Sequence, residues 1–186
     1  MNSQKVPGGN ELLNPEKILK NELGLEPGSY VGDFGCGAAG YFSFQTAKIV
    51  GDSGLVYAVD IQKPVLESIR NRAKENKINN LKTIWTDLER FSACKINNNS
   101  LDFGFLINIL FQNKDKKAIL KEVSRMIKDG GKLLIIDWKE GRFPLGPKPQ
   151  DKIGVQDLIS AAQEVGFRLE KRFEAGQYHY GLIFIK

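Results

Sequence analysis

The sequence is poor in the residues that metal sites and hydrolase triads require. Its 186 residues include one histidine, His179, and two cysteines, Cys36 and Cys94. No group of these residues has the spacing of metal ligands, so we expect no metal site, and a Ser-His-Asp hydrolase is poorly supported. Because Cys36 lies inside a glycine-rich segment, a structural disulfide is not expected.

Long apolar runs are also missing. No stretch approaches the roughly 18 consecutive apolar residues of a membrane-spanning helix, so we expect no stable insertion into a membrane. Residues 1–10 lack the apolar centre of a signal peptide. We therefore expect residues 1–10 to be a flexible lead and the protein to be cytoplasmic.

What is present is the composition of an ordinary globular domain. Hydrophobic residues make up 41% of the chain and charged residues 26%, and the length fits a single domain spanning residues 1–186. The sequence contains no internal repeat and no low-complexity tract. The formal net charge of +5 is mildly basic, which is compatible with an anionic partner but identifies none.

Apolar strand-like runs and helical spacings alternate along the chain, which predicts βαβ units around a parallel sheet. The predicted strands span residues 30–34, 55–60, 81–85, 101–110, 132–137, 167–172 and 178–185, and the predicted helices span 14–23, 41–50, 62–76, 116–128 and 155–165. Residues 138–152 contain three prolines and are predicted to form a loop. The last two strands are joined too briefly for a crossover helix, so they should pair antiparallel. The prediction is a doubly wound α/β domain with a seven-stranded, mostly parallel sheet, an antiparallel last strand and helices on both faces.

A glycine-rich turn is the most informative motif. Gly35-Cys36-Gly37-Ala38-Ala39-Gly40 follows a predicted strand and precedes a predicted helix. In this setting the G-x-G-x-x-G pattern predicts a dinucleotide or nucleoside site, because the turn lets backbone N–H groups approach a ligand closely. The alternative is a glycine-rich turn that binds nothing.

Two acidic residues narrow the choice of ligand. Asp33 lies two residues before the first glycine, where it would repel the pyrophosphate of a nicotinamide cofactor and would suit a ligand with a cationic amino-acid end. Asp60 ends the second predicted strand, where a carboxylate can accept hydrogen bonds from both hydroxyls of a ribose. Asp33 could instead cap a turn or helix, and Asp60 could also cap the helix that follows it.

These motifs resemble the class I S-adenosylmethionine-dependent methyltransferases, which have a Rossmann-like fold. The resemblance runs in order over residues 14–186, essentially the whole chain. It rests on Asp33-Phe34-Gly35-Cys36-Gly37, Ala58-Val59-Asp60-Ile61, Asp87-Leu88, Leu101-Asp102 and the segment from Met126 to Leu133. The antiparallel closing strands are also similar to that family and unlike nicotinamide-binding domains.

The resemblance implies a role for each matching residue, with S-adenosylmethionine as the cofactor. The glycine turn would surround its methionine part, Asp60 would bind the ribose, and Ile61 would pack on the adenine. Asp87 would reach the adenine amino group, with Leu88 beside it, and Asn108 would contact the amino-acid end. The residues implied in the turn are Asp33, Gly35, Cys36, Gly37, Ala38 and Gly40. One departure is Ala39, which stands where the family commonly has its third glycine.

The resemblance implies methyl transfer by in-line displacement, for which the protein mainly supplies alignment. No catalytic base can be assigned, and His179 and Asn108 are the candidates. A lone histidine is more often structural than catalytic. Asn108 and Phe111 have the spacing found in methyltransferases that act on adenine, cytosine or glutamine nitrogen, but both prolines of that motif are missing, which argues against this subclass.

The acceptor of the methyl group is not identified by the sequence. A small molecule, RNA or a lipid headgroup is compatible with it, and the positive charge slightly favours an anionic acceptor. No nucleic-acid-binding motif is present, and the oligomeric state is open. The basic loop 138–152 leaves the end of a central strand, where it could cover the acceptor. The alternative functions are an NAD-dependent oxidoreductase and a non-catalytic nucleoside-binding module.

Overall fold

A computed structural model describes residues 12–186, so the expectation for residues 1–10 lies outside the described residues. The strands are β1 (Tyr30–Phe34), β2 (Leu55–Asp60), β3 (Leu81–Trp85), β4 (Leu101–Ile107), β5 (Ile127–Trp138), β6 (Arg168–Glu174) and β7 (His179–Ile185). The helices are α1 (Pro15–Lys17), which continues as a π-helix over Ile18–Glu22, and α2 (Tyr41–Val50), α3 (Lys63–Glu75), α4 (Lys116–Met126) and α5 (Val155–Gln163).

The strands form one sheet in the order β3-β2-β1-β4-β5-β7-β6. The pairs among β1 to β5 are parallel, and β7 runs antiparallel to both of its neighbours, β5 and β6. The predicted fold class is thereby confirmed. The strand order reverses between β1 and β4, and in doubly wound folds ligands bind beyond the carboxyl ends of the strands at this switch point.

Two hydrophobic layers cover the sheet, one on each face. Because side chains alternate along a strand, Leu133 and Ile135 of β5 face the layer that contains α4 and α5. Leu134 and Ile136 face the layer that contains α1, α2 and α3. Burial on both faces explains why the central strands are almost continuously apolar in sequence.

The prediction for the fourth strand was wrong at its end. The apolar run continues to Leu110, but β4 ends at Ile107, and Leu110–Gln112 form a turn of 3₁₀ helix. Asn108 has a φ of 54°, a left-handed conformation that extended backbone does not adopt. The chain therefore leaves the sheet at Asn108, and the apolar side chains beyond it pack into the core from outside the sheet.

The fifth strand is longer than predicted. The fourth helix was predicted to end at Lys128 but ends at Met126, and β5 begins at Ile127 rather than Lys132. An irregularity near Leu101 and Phe103 lets Leu101 pair with Ile127 before the regular ladder starts at Lys132. The predicted loop 138–152 contains a 3₁₀ turn at Pro149–Asp151 and otherwise has no helix or strand after Trp138.

Candidate functional site

The glycine turn begins where β1 ends, at the switch point of the sheet. Gly35 and Gly37 have φ values of 80° and 65°, which L side chains rarely adopt. A Cβ atom on Gly35 would lie 2.5 Å from Cγ2 of Ile109, so the backbone packs directly on that side chain. A Cβ atom on Gly37 would meet nothing within 4 Å, so this part of the turn faces open space.

A side chain of α3 also holds the glycine turn in place. The Arg72 guanidinium of α3 donates hydrogen bonds to the carbonyl oxygens of Ala38 and Ala39, at 3.3 and 2.7 Å. The same guanidinium lies 4.5 Å from the ring centroid of Phe44 in α2. These contacts fix the path of the turn at the position where the sequence departs from the family pattern.

Asp60 connects the glycine turn to the start of α3. Its Oδ2 accepts a hydrogen bond from the Gly37 N–H at 3.2 Å, and its Oδ1 accepts one from the Gln62 N–H at 2.9 Å. Asp60 thus both closes the turn and receives a bond from the residue before α3. The carboxylate is oriented by backbone groups before any ligand binds.

A cleft of about 280 Å³ opens in front of these residues, beyond the carboxyl ends of β1 to β4. Of the residues predicted to bind a cofactor, the structure brings together seven in its wall: Gly35, Gly37, Asp60, Ile61, Asp87, Leu88 and Asn108. These residues come from the turn and from segments that follow three other strands. Their convergence follows from the parallel sheet, in which the carboxyl ends of the strands share one edge.

Four residues predicted to bind the cofactor do not line this cleft: Asp33, Cys36, Ala38 and Gly40. Asp33 is 2% exposed, and its carboxylate accepts a hydrogen bond from the Ser43 hydroxyl at 2.5 Å. Burial raises the pKa of Asp33 to about 6; the Ser43 bond opposes this shift and the nearby Asp60 adds to it. Cys36 is also buried, and burial raises the pKa of its thiol. Asp33 and Cys36 therefore support the turn from behind, whereas Ala38 is exposed on it.

Sequence reasoning missed part of the wall. The additional lining residues are Gln62, Thr86, Glu89, Ile107, Ile109, Gln112, Asn113 and Ile119. Gln112 donates a hydrogen bond to the carbonyl oxygen of Asn108 at 3.0 Å, and Asn113 donates one to that of Ile109 at 2.6 Å. The adjacent amides at 112 and 113 were the available signal, because they directly follow the apolar run of the fourth strand.

The two candidate catalytic residues are in different places. Asn108 lines the cleft, and its backbone N–H donates to the carbonyl oxygen of Ile136 at 2.8 Å, which ties the cleft to β5. His179 is not in the cleft wall but at the start of β7, fully buried and opposite Trp138. Burial and, to a smaller extent, the nearby charges of Lys139 and Lys152 together lower the pKa of His179 to about 4, so its imidazole is neutral at pH 7.

The cleft suits a nucleoside that carries an amino-acid chain. Asp60 and Asp87 offer acceptors for hydroxyl and amino groups, and Ile61 presents an apolar side chain that is 55% exposed. The open space at Gly37 admits a ligand close to the backbone. Among residues 12–186 no cluster of histidine, cysteine or acidic side chains could hold a metal ion. Within the same range, no helix is long and apolar enough to cross a membrane.

Comparison with known proteins agrees with this geometry. A family model described as a methyltransferase domain matches residues 25–169. The crystal structure of an S-adenosylmethionine-dependent methyltransferase from Aquifex aeolicus superposes with a TM-score of 0.85 at 28% identity, covering 96% of this chain and 93% of that one. The chain therefore belongs to the class I S-adenosylmethionine-dependent methyltransferase family, and S-adenosylmethionine is its cofactor.

Two curated proteins are similar to this chain in sequence. The ubiquinone/menaquinone biosynthesis C-methyltransferase UbiE of Shewanella sp. (strain W3-18-1) is 31% identical over 140 residues, which are 74% of this chain and 51% of the relative. The sterol 24-C-methyltransferase erg6 of Aspergillus fumigatus is 25% identical over 186 residues, covering 90% of this chain and 47% of the relative. The chain thus spans about half the length of the curated relatives it matches.

Proposed function

We propose that this protein transfers the methyl group of S-adenosylmethionine to a carbon atom of a small-molecule acceptor. The observation that carries this proposal is the cleft at the switch point, in which Asp60 is already oriented by the Gly37 N–H. When bound, the cofactor supplies a methyl group that its sulfonium activates. The chain itself then has to bind, align and exclude water.

The proposed roles of the cleft residues follow from their positions. Asp60 binds the ribose hydroxyls, Ile61 and Leu88 pack against the adenine, and Asp87 accepts a hydrogen bond from the adenine amino group. The turn from Gly35 to Gly37 and Asn108 contact the amino-acid end. Asp33 acts from behind the turn, because it is buried against Ser43 rather than exposed in the cleft.

The carbon acceptor is supported by the two relatives, both of which are named as C-methyltransferases. Their acceptors are not transferred to this chain, which covers only about half of each relative. An anionic acceptor, a nucleic-acid partner and a cytoplasmic location stay predictions from the sequence.

The proposal is tested first by calorimetry of the full chain with S-adenosylhomocysteine and, separately, with NAD. We expect S-adenosylhomocysteine to bind and NAD not to bind. Binding of NAD alone would support an oxidoreductase instead.

A second experiment tests methyl transfer itself. The protein is incubated with S-adenosylmethionine labelled in its methyl group and with the lipid and aqueous fractions of a cell extract. We expect label in a small molecule, in a form that resists ester hydrolysis and also hot hydriodic acid, which releases methyl groups bound to oxygen or nitrogen but not to carbon. Binding of S-adenosylhomocysteine without transfer to any fraction would indicate a non-catalytic nucleoside-binding module.

A further inference from the structure

The connection from β3 to β4 differs from the two beside it. Residues 86–100, all of them described by the structure, join these strands without a helix, whereas α3 joins β2 to β3 and α4 joins β4 to β5. The connection crosses the face of the sheet that carries α4 and α5, because Cys94 and Ile96 belong to that hydrophobic layer. A loop covers less of a sheet than a helix does. Side chains at the amino ends of β1 and β2 therefore stay partly uncovered on this face.

An ion pair of α4 fixes the path of this connection. The Glu122 carboxylate, which is 0% exposed, accepts hydrogen bonds from the N–H groups of Ser92 and Cys94 at 2.7 and 3.0 Å. The Arg125 guanidinium pairs with the same carboxylate at 2.7 Å. It also donates to the carbonyl oxygens of Cys94 and Ile96, each at 3.0 Å. Because the backbone of the connection is anchored, the space beside it is a fixed feature of the fold.

A cleft of about 380 Å³ occupies this space. Tyr30, Tyr57, Lys95 and Lys128 contribute to its wall. Tyr57 pairs with the residue two positions after Tyr30 in the ladder of β1 and β2, so both tyrosine side chains are on the same face of the sheet. Tyr30 begins β1, whereas the glycine turn follows the end of β1. The cleft is therefore at the edge of the sheet opposite to the cofactor cleft.

The polar groups of this second cleft are mainly hydrogen-bond donors. The Lys128 ammonium is already paired with the Asp102 carboxylate at 2.5 Å. Within residues 12–186, the Lys95 ammonium and the hydroxyls of Tyr30 and Tyr57 have no hydrogen-bond or ion-pair partner. Partial burial raises the pKa of Tyr57, and the neighbouring Tyr30 adds to the shift, so the Tyr57 hydroxyl keeps its proton at neutral pH. One cation and two hydroxyl donors are thus available to a ligand.

These groups define the chemistry of that ligand. A carboxylate carries a single negative charge, which matches the one unpaired ammonium, and its two oxygens accept hydrogen bonds from hydroxyl groups. A phosphate monoester would bring nearly two negative charges at neutral pH and would leave one of them without a partner. Tyrosine rings offer apolar faces against which an aromatic ring packs, and Tyr30 is 44% exposed. The combination favours an aromatic carboxylic acid.

We propose that this cleft is a second ligand site, in which Lys95 binds the carboxylate of an aromatic acid while the ring of the acid packs against Tyr30 and Tyr57. The proposal goes beyond methyl transfer and does not rest on it. Because the two clefts are at opposite edges of the sheet, the acid and the cofactor occupy the protein together. Saturation with one ligand should leave the affinity for the other within a factor of about two, as expected for separate sites without coupling.

The test compares two probes that have the same ring system and nearly the same shape. Calorimetry of the full chain at pH 7 measures the affinities of 2-naphthoate and 2-naphthamide, with and without saturating S-adenosylhomocysteine. The amide is neutral, so it cannot pair with Lys95. We expect 2-naphthoate to bind about fivefold more tightly, because Lys95 is exposed and an ion pair in contact with water contributes modestly.

Substitutions then locate the preference. Lys95→Gln removes the unpaired charge, and we expect the preference for 2-naphthoate to fall to about twofold or less. Tyr57→Phe keeps the ring and removes the hydroxyl, so it should lower the preference while 2-naphthamide still binds. The matched control is Lys48→Gln, which removes an exposed lysine of α2 on the other face of the sheet and should leave the preference unchanged.

The outcomes separate this inference from the proposed function. Equal binding of the two probes to the unmodified protein overturns the inference, whether or not any variant folds. A preference that persists undiminished in Lys95→Gln, shown to be folded by thermal unfolding, also overturns it. Displacement of 2-naphthoate by S-adenosylhomocysteine would place the acid in the cofactor cleft and would overturn it too. Failure of S-adenosylhomocysteine to bind contradicts the proposed function alone, because the probe comparison without it still reports on the second cleft.

Discussion

Two regions at the carboxyl edge of the sheet differ in how far their polar groups are hydrogen-bonded. Over β1 and β2, the Asp60 carboxylate accepts backbone hydrogen bonds from Gly37 and Gln62. Over β5 and β7, Asp137, Trp138 and His179 each keep at least one buried polar atom without a partner in the described part of the chain. The first region is organised before its ligand arrives, whereas the second retains unsatisfied groups. The difference indicates that the Asp60 carboxylate is held by hydrogen bonds that the fold itself supplies, whereas burial of the polar atoms over β5 and β7 costs stability that the surrounding packing has to offset.

The largest effect that we expect is a dependence of stability on pH, caused by Asp137 in the region over β5 and β7. Asp137 is fully buried; burial raises the pKa of Asp137 to about 7 from its usual 3.8, although the N–H groups of Trp138 and Phe111 and the charge of Lys116 oppose this. The folded state thus favours the protonated carboxyl. This stabilisation is complete below pH 3.8 and is lost as the pH rises through 7. At 1.36 kcal/mol per pKa unit, the loss in the free energy of unfolding is about 4 kcal/mol.

Asp137→Asn removes this titration. We expect the free energy of unfolding of the variant, minus that of the unmodified protein, to increase by about 4 kcal/mol between pH 4 and pH 8. Urea unfolding at a series of pH values measures it. Asp52→Asn, at an exposed turn, is the control and should show no such trend. A pH-independent difference for Asp137→Asn would mean that water reaches the Asp137 carboxyl in the folded protein.

A smaller loss of stability is expected where the first region packs most closely. Gly35→Ala places a methyl group 2.5 Å from Ile109 at a φ of 80°. The left-handed backbone and the overpacking together should lower the free energy of unfolding by about 3 kcal/mol. Gly24→Ala is the matched control: its φ is 71° but a Cβ meets nothing within 4 Å, so only the backbone cost of about 1–2 kcal/mol applies. Equal losses in chemical denaturation would show that the contact with Ile109 relaxes freely.

The smallest expected effect is on cofactor affinity. Asp60→Ala removes a charged acceptor that we place at the ribose, and binding of S-adenosylhomocysteine should weaken by about 1.5–3 kcal/mol, or tenfold and more. Isothermal calorimetry measures the change, with Asp52→Ala as a charge-matched control. An unchanged affinity would remove Asp60 from the site and would contradict the idea that the first region is built for the cofactor.

The fold was largely predictable because hydrophobic periodicity reports directly on burial. The alternation of strands and helices and the short link before β7 were enough to predict a mostly parallel sheet with an antiparallel closing strand. The end of β4 was not predictable in the same way. Ile109 and Leu110 are apolar because they pack against the core after the chain has left the sheet, and periodicity does not distinguish this from a continuing strand.

The site was predictable only in part, because some of its features depend on contacts between residues that are distant in the sequence. Asp60 ends β2 and Asp87 comes shortly after β3, so their position at the carboxyl edge can be inferred from chain order, but their role in binding stays a prediction. That Asp33 points behind the turn depends on Ser43, ten residues later, which no local pattern reveals. The contact of Trp138 with His179 depends on the register of β5 against β7, which a sequence without a known partner strand does not specify.

The hydrogen bonds from Arg72 to the glycine turn determine which of the positions involved can be substituted. Its guanidinium donates hydrogen bonds to the backbone carbonyl oxygens of Ala38 and Ala39, and every residue type has such an oxygen. Exchange of the side chain at position 39 therefore leaves the anchor intact, so a relative without the usual glycine there can still form the turn. Position 72 lacks this freedom, because the anchor is its side chain: Nη1 of the guanidinium donates to both oxygens while the guanidinium lies against the Phe44 ring. The same contact therefore predicts that the turn tolerates substitution at position 39 and that α3 does not tolerate it at position 72.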